Sequence, residues 1–108
     1  MAYEQDFILR MAKRIGEVLA RALGLAKQGN HDESVEVLEQ GVGAELGIPF
    51  VMLMRLDAAS AVRLLGKEKA VQLVAALRTR SVLFGIAGRE DDARTSSSHA
   101  DAVEAVLG

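Results

Sequence analysis

Apolar residues in this chain recur at spacings of three and four, and glycine repeatedly ends the pattern. From 3 to 28, Ile8, Met11, Ile15, Val18, Ala22 and Leu25 fall on one helical face. Leu19, Leu23 and Ala26 widen that face, so this helix packs against more than one neighbour. Gly29 ends it, because glycine readily takes the left-handed backbone of a helix C-terminus. The pattern restarts over 31–46 with Val35, Leu38, Val42 and Leu46 inward. Asn30 is placed to cap this second helix, with Glu33 in capping-box spacing. Gly41 and Gly43 each weaken it by roughly 1 kcal/mol relative to alanine. Close approach of a neighbour is the compensation expected.

Two short helices follow. Pro49 suits the first turn of one over 49–56, and Asp57 is placed to cap another over 58–65, which Gly66 ends. A long helix over 67–87 buries Ala70, Leu73, Val74, Leu77, Ser81 and Phe84. Gly88 closes it, and a last helix over 90–107 turns Ala93, Ser97, Ala100, Val103 and Leu107 inward. The expected fold is all-α: a single domain over 1–108, with a hairpin at 3–46, an insertion at 49–65 and a second hairpin at 67–107.

Sliding the first hairpin by 59 residues superimposes it on the second. Val18 meets Leu77, Arg21 meets Arg80, Ala22 meets Ser81 and Leu25 meets Phe84. Gly29 meets Gly88, Asp32 meets Asp91, Glu33 meets Asp92 and Gly41 meets Ala100. Small residues sit where the helices cross: Ala22, Ser34 and Gly41, then Ser81, Ala93 and Ala100. In these residues the chain resembles the tetratricopeptide repeat (TPR), which implies antiparallel hairpins that bind other protein chains. It departs from that motif in three places. Val18 and Leu77 stand where the motif has Trp, its closing proline is missing, and Ser97 replaces a large apolar residue. The hairpins are also separated by an insertion and do not stack at the 34-residue period.

The whole chain is similar to a small bacterial family of uncharacterised proteins. The likeness rests on the opening Tyr3-Glu4-Gln5-Asp6-Phe7-Ile8-Leu9-Arg10-Met11, on Leu19 to Leu25, and on the hairpin from Gly29 to Leu46. It implies a fold and a bacterial origin, and no activity.

Composition narrows the functional classes. The chain has no cysteine, which excludes disulfides and thiolate metal sites. The acids in Met1 to Phe7 are unlike a signal peptide. The apolar run from Ile48 to Met54 is far short of the roughly 20 residues that span a bilayer. A net charge of −2 points to neither nucleic acid nor an acidic membrane. A cytoplasmic protein without cofactor, metal or catalytic residues is expected.

Three tempting motifs fail on geometry. His31-Asp32-Glu33 is better read as a helix start than as metal ligands, since adjacent residues diverge. Gly41-x-Gly43-x-x-x-Gly47 lies within an acidic helix, not between a strand and a helix as a dinucleotide loop must. Ser98, His99 and Asp101 are neighbours on one polar helix and do not converge like a hydrolase triad.

Two features point to interaction surfaces. Charge is segregated: residues 1–30 hold five basic and three acidic side chains, and 31–48 hold five acidic and none basic. Residues 49–80 hold six basic and two acidic, and 81–108 hold two basic and five acidic. Either neighbouring helices complement one another within the fold, or Arg10, Arg14, Arg78 and Arg80 line a basic groove for an acidic peptide. The second feature is the apolar run at Phe50, Met52, Leu53 and Met54, which serves as core or as a homodimer contact. The function expected is a non-catalytic protein–protein interaction module with an unidentified protein partner. The alternative is a self-associating structural homo-oligomer.

Overall fold

In the computed structural model, which describes the backbone of residues 2–108 and side chains from Gln5 onward, six helices account for nearly the whole chain. They are α1 (Ala2–Lys27), α2 (His31–Leu46), α3 (Phe50–Arg55), α4 (Ala58–Leu65), α5 (Lys67–Ile86) and α6 (Glu90–Leu107). The fold is all-α, with hairpins α1/α2 and α5/α6 flanking the two short helices, as the periodicity predicts.

The two hairpin turns share the same pair of closing hydrogen bonds. Asn30 N–H donates to Leu25 O (2.9 Å) and Gly29 N–H to Ala26 O (3.0 Å). At the offset of 59, Arg89 N–H donates to Phe84 O (2.8 Å) and Gly88 N–H to Gly85 O (3.1 Å). Both are Schellman motifs, whose central residue must be left-handed. Gly29 has φ 87° and Gly88 has φ 76°. In the second turn the Arg89 guanidinium also lies 4.7 Å from the centre of the Phe84 ring, a cation–π contact between the two ends of the turn.

The expected Asn30 cap does not form: its side chain makes no capping hydrogen bond. Asn30 is the last residue of the Schellman turn, so its backbone is committed to closing α1. Its φ of −86° and ψ of 66° lie outside the extended conformation a capping side chain uses. Asp57 does cap α4, accepting from Ser60 N–H at 2.8 Å. Pro49 stands one residue before α3, outside its first turn.

α5 is the middle of the bundle. Lys69 Nζ donates to Leu46 O (3.3 Å) near one end, and Arg80 reaches Glu39 further along. α5 therefore runs antiparallel to α2 and parallel to α1. The core is aliphatic: Leu38, Val42, Leu46, Leu53, Leu73, Leu77 and Leu83 are fully buried. Gly41 allows α1 and α2 to touch, since a Cβ there would lie 2.6 Å from Val18 Cγ1. Gly43 serves a different neighbour: its missing side chain makes room for the backbone of Ile48 and Phe50, both 3.1 Å away. On α6 it is Ser96, not Ser97, that is fully buried, on one face with Ala100 and Val103 at i, i+4 and i+7; Arg80 Nη1 donates to its Oγ at 2.8 Å.

Gly66 alone joins α4 to α5. Its N–H donates to Val62 O (2.8 Å) and its carbonyl accepts from Ala70 N–H (2.9 Å). Its φ of 84° and ψ of 163° occupy a region that is essentially glycine-only. A Cβ there would meet nothing within 4 Å, so substitution costs backbone strain alone. Gly66→Ala is expected to lower stability by about 1–3 kcal/mol in urea unfolding. D-alanine, introduced by chemical ligation, is expected to restore it, because a D-residue favours positive φ.

Candidate interaction surface

The four arginines do not line one groove. Arg14 Nε donates to both oxygens of Glu45 (3.0 and 2.8 Å), tying α1 to α2. Arg78 reaches Asp101 (2.7 Å) and Glu104 (3.1 Å) on α6. Arg80 turns the other way, since two positions along a helix separate side chains by about 200°. Arg10 is exposed. Three of the four thus spend their charge on neighbouring helices, in the complementarity that the charge segregation allows.

Arg80 is the most engaged. Its Nε and Nη2 both lie 2.8 Å from Glu39 Oε2, while Nη1 holds Ser96. Its guanidinium carbon lies 4.8 Å from the ring centre of Phe84 and 5.5 Å from that of Phe50. One side chain on α5 therefore joins α2, α3 and α6. Beside it is a cleft of about 200 Å³ lined by Met54, Asp92, Thr95, Ser96 and His99 as well as Arg80. Burial, and secondly the Arg80 charge, hold the His99 imidazole below its ordinary pKa of 6.5.

A pH dependence follows. The folded chain favours neutral His99, so below about pH 6.5 the unfolded chain binds more protons and stability falls with pH. The fall ends once the folded imidazole is itself protonated. His99→Gln is expected to flatten this part of the profile in thermal melts between about pH 7 and 5. Asp57, whose carboxyl is held below 3.8 chiefly by the Ser60 backbone N–H, acts in a separate and more acidic window. An unchanged slope in His99→Gln would assign the effect elsewhere.

The apolar segment divides between core and surface. Phe50 and Leu53 are buried at 4% and 0% exposure, and Met54 is half-buried. Met52 and Val51, which the sequence reading did not single out, are 56% and 61% exposed. The core reading therefore holds for Phe50 and Leu53 but not for Met52. Val51 stands at the rim of an open groove of about 560 Å³ between α2 and α3. Gly43, Ala44 and Gly47 supply one wall, Ile48 to Val51 the other, and Glu39 and Gln40 close one end. Ala44 and Gly47, with no side chain beyond Cβ, leave the first wall low, whereas the space beside Gly43 is filled by the backbone of Ile48 and Phe50. Of the glycines set aside as a phosphate loop, Gly43 and Gly47 line this groove and Gly41 does not.

His31 Nδ1 is buried without a hydrogen-bond partner. Among the described residues, no three His, Asp or Glu side chains are placed to share a metal ion, and no helix is long and apolar enough to cross a membrane. In the likeness to the bacterial family, the side chains of Tyr3 and Glu4 lie outside the described residues. Comparison with protein-family models, curated proteins and solved structures gives no match.

Proposed function

We propose that this chain is a non-catalytic interaction module, a scaffold of TPR-like hairpins that docks an apolar segment of another protein in the α2–α3 groove. The observation that carries the reading is the groove itself, open beside the exposed side chain of Val51, with exposed Met52 next to it on α3 outside the lining. Concave, largely apolar surfaces on rigid helices are common sites for helical or extended partner segments. The duplicated turn supports the hairpin-scaffold part of the reading, since it makes the two halves one supersecondary unit used twice. A bacterial cytoplasmic setting, without cofactor or nucleic acid, belongs to the same proposal.

The test is affinity capture with the intact chain as bait, alongside Val51→Asp and Met52→Asp. Both side chains are exposed, so the variants are expected to fold. A protein retained by the parent and lost from both variants is the expected result. Capture that is identical for all three baits would refute the groove as the docking site.

Self-association is the second reading. Two hairpins are fewer than a helical repeat fold ordinarily needs to stand alone, and the exposure of Met52 and Val51 favours an apolar contact between copies.

A further inference from the structure

The central helix leaves an apolar face bare. α5 packs against α1, α2, α4 and α6. Of these, α1 packs on α2 and α4 on α6, but α1 and α6 make no substantial contact with each other. The ring of helices round α5 is therefore open between α6 and α1. On α5, Val71 is 48%, Val82 51% and Ile86 42% exposed, and Ala75 is exposed between them. Their spacings of four, seven and four keep all four within about 60° of arc, on a line about 22 Å long. Arg78, about 40° from Val82, is drawn onto α6 by Asp101 and Glu104. Arg80, which reaches α2, lies about 160° from Val82. The apolar line thus runs along the opening between α6 and α1.

The two flanks of this face differ in charge. α6 carries five acids and one arginine, and α1 carries five basic residues and three acids. At the end with the hairpin turns, each flank presents one exposed charge without an ion-pair partner among the described residues: Lys27 on α1 and Glu90 on α6. Lys27 is nine residues from Val18, half a turn round from the side of α1 that touches α2 at Gly41. Glu90 is eleven residues before Asp101, on the line of α6 that reaches Arg78. The bases beside Glu90 are already engaged, Arg89 by Asp92 and Arg94 by Asp91. α1 runs parallel to α5, and Lys27 and Ile86 are their last residues. Both free charges therefore stand near the level of Ile86, one on each side of it.

We infer that a second copy of this chain covers this face, with α5 against α5 in parallel about a twofold axis along the helix. Each copy then sets its basic α1 against the acidic α6 of the other, and Lys27 meets Glu90 at both edges. Turning the partner end over end would instead bring α6 against α6, acid on acid, a juxtaposition that like charges oppose. The contact is self-complementary, with identical residues of α5 meeting on the axis, and it closes at two copies. Three helices side by side, about 9 Å apart, offer roughly 600 Å² per copy over the length of the line, near the lower limit for specific association. The dimer is therefore a reversible one. Its face is separate from the α2–α3 groove, and the inference does not rest on that reading.

Sedimentation equilibrium of the full chain through the micromolar range tests this. The expected result is a mass rising to twice 11.5 kDa. Val82→Glu and Ile86→Glu, both at exposed positions, are each expected to weaken association by at least about tenfold, with helix content unchanged by circular dichroism. Lys27→Glu and Glu90→Lys are each expected to weaken it alone, and mixing the two variants is expected to restore it. Only a contact between chains gives that rescue. The chain has no cysteine, so a single introduced thiol reports the arrangement. Ala75→Cys is expected to give a disulfide-linked dimer under mild oxidation, and Glu36→Cys, on α2, is not. A strict monomer overturns the inference. So does a dimer indifferent to Val82→Glu and Ile86→Glu, or one that cross-links no better through Ala75→Cys than through Glu36→Cys. Docking of a different protein in the groove stands or falls separately, by the capture experiment.

Discussion

Leu77→Ala is expected to remove about 3 kcal/mol of stability, within the range of about 2–5 kcal/mol for buried leucine truncations. Leu77 is fully buried on α5, the helix that packs against both members of the first hairpin and against α6. A cavity there is walled by several helices, and none can close it without parting from another. For a domain of about 5–15 kcal/mol total stability, such a loss is visible directly. Urea unfolding should show a lower midpoint with an unchanged slope. The repeat-equivalent residue, Val18, is only half-buried, so Val18→Ala should cost well under half as much. A loss at Leu77 below about 1 kcal/mol would mean that the bundle repacks freely and that α5 is not its keystone.

Arg80→Met is expected to cost about 2 kcal/mol. The side chain is 19% exposed and that of its partner Glu39 is 33% exposed. Solvent therefore screens part of the ion pair, and the loss falls short of that for a fully buried pair. What is lost beyond charge is geometry. A planar guanidinium donates to Glu39 and Ser96 while its face lies against Phe84. Lysine cannot reproduce a fork and a stacked plane together, so Arg80→Lys should recover less than half of the loss. Full recovery by lysine would reduce the role of Arg80 to that of a point charge.

The helices were legible because two independent signals agree along the chain. The three-and-four periodicity phases each long helix, and glycine stands at each turn that needs a positive φ. The offset of 59 was legible in the residues around Gly29 and Gly88, and the backbone repeats both closing bonds of the turn. What escaped had physical causes. Asn30 has the composition of a cap, but the preceding turn claims its backbone. Ser96 and Ser97 are equivalent as types, and both stand three or four residues from a buried position, so only the phase that α6 takes with Ala100 and Val103 inward selects Ser96. The segment from Ile48 to Met54 is apolar on every side, so periodicity could not say that Phe50 and Leu53 turn inward while Val51 and Met52 turn outward. The groove was hidden for a simpler reason. It is made by side chains that Ala44 and Gly47 lack, and a trough needs a second wall that only the path of the chain provides.

Gly66 bears on how this chain can change over time. It is a joint of one residue, and both its peptide groups are already spent on the helices it links. One residue added within the first turn of α5, with the joint held, would turn the rest of that helix by about 100° about its axis. Leu77 would then leave the core and Arg80 would swing off Glu39, though neither had been altered. The joint works as a fixed gear between the two ends of the molecule. In descendants of this chain the residues on either side are free to drift, whereas the spacing between α4 and α5 is locked.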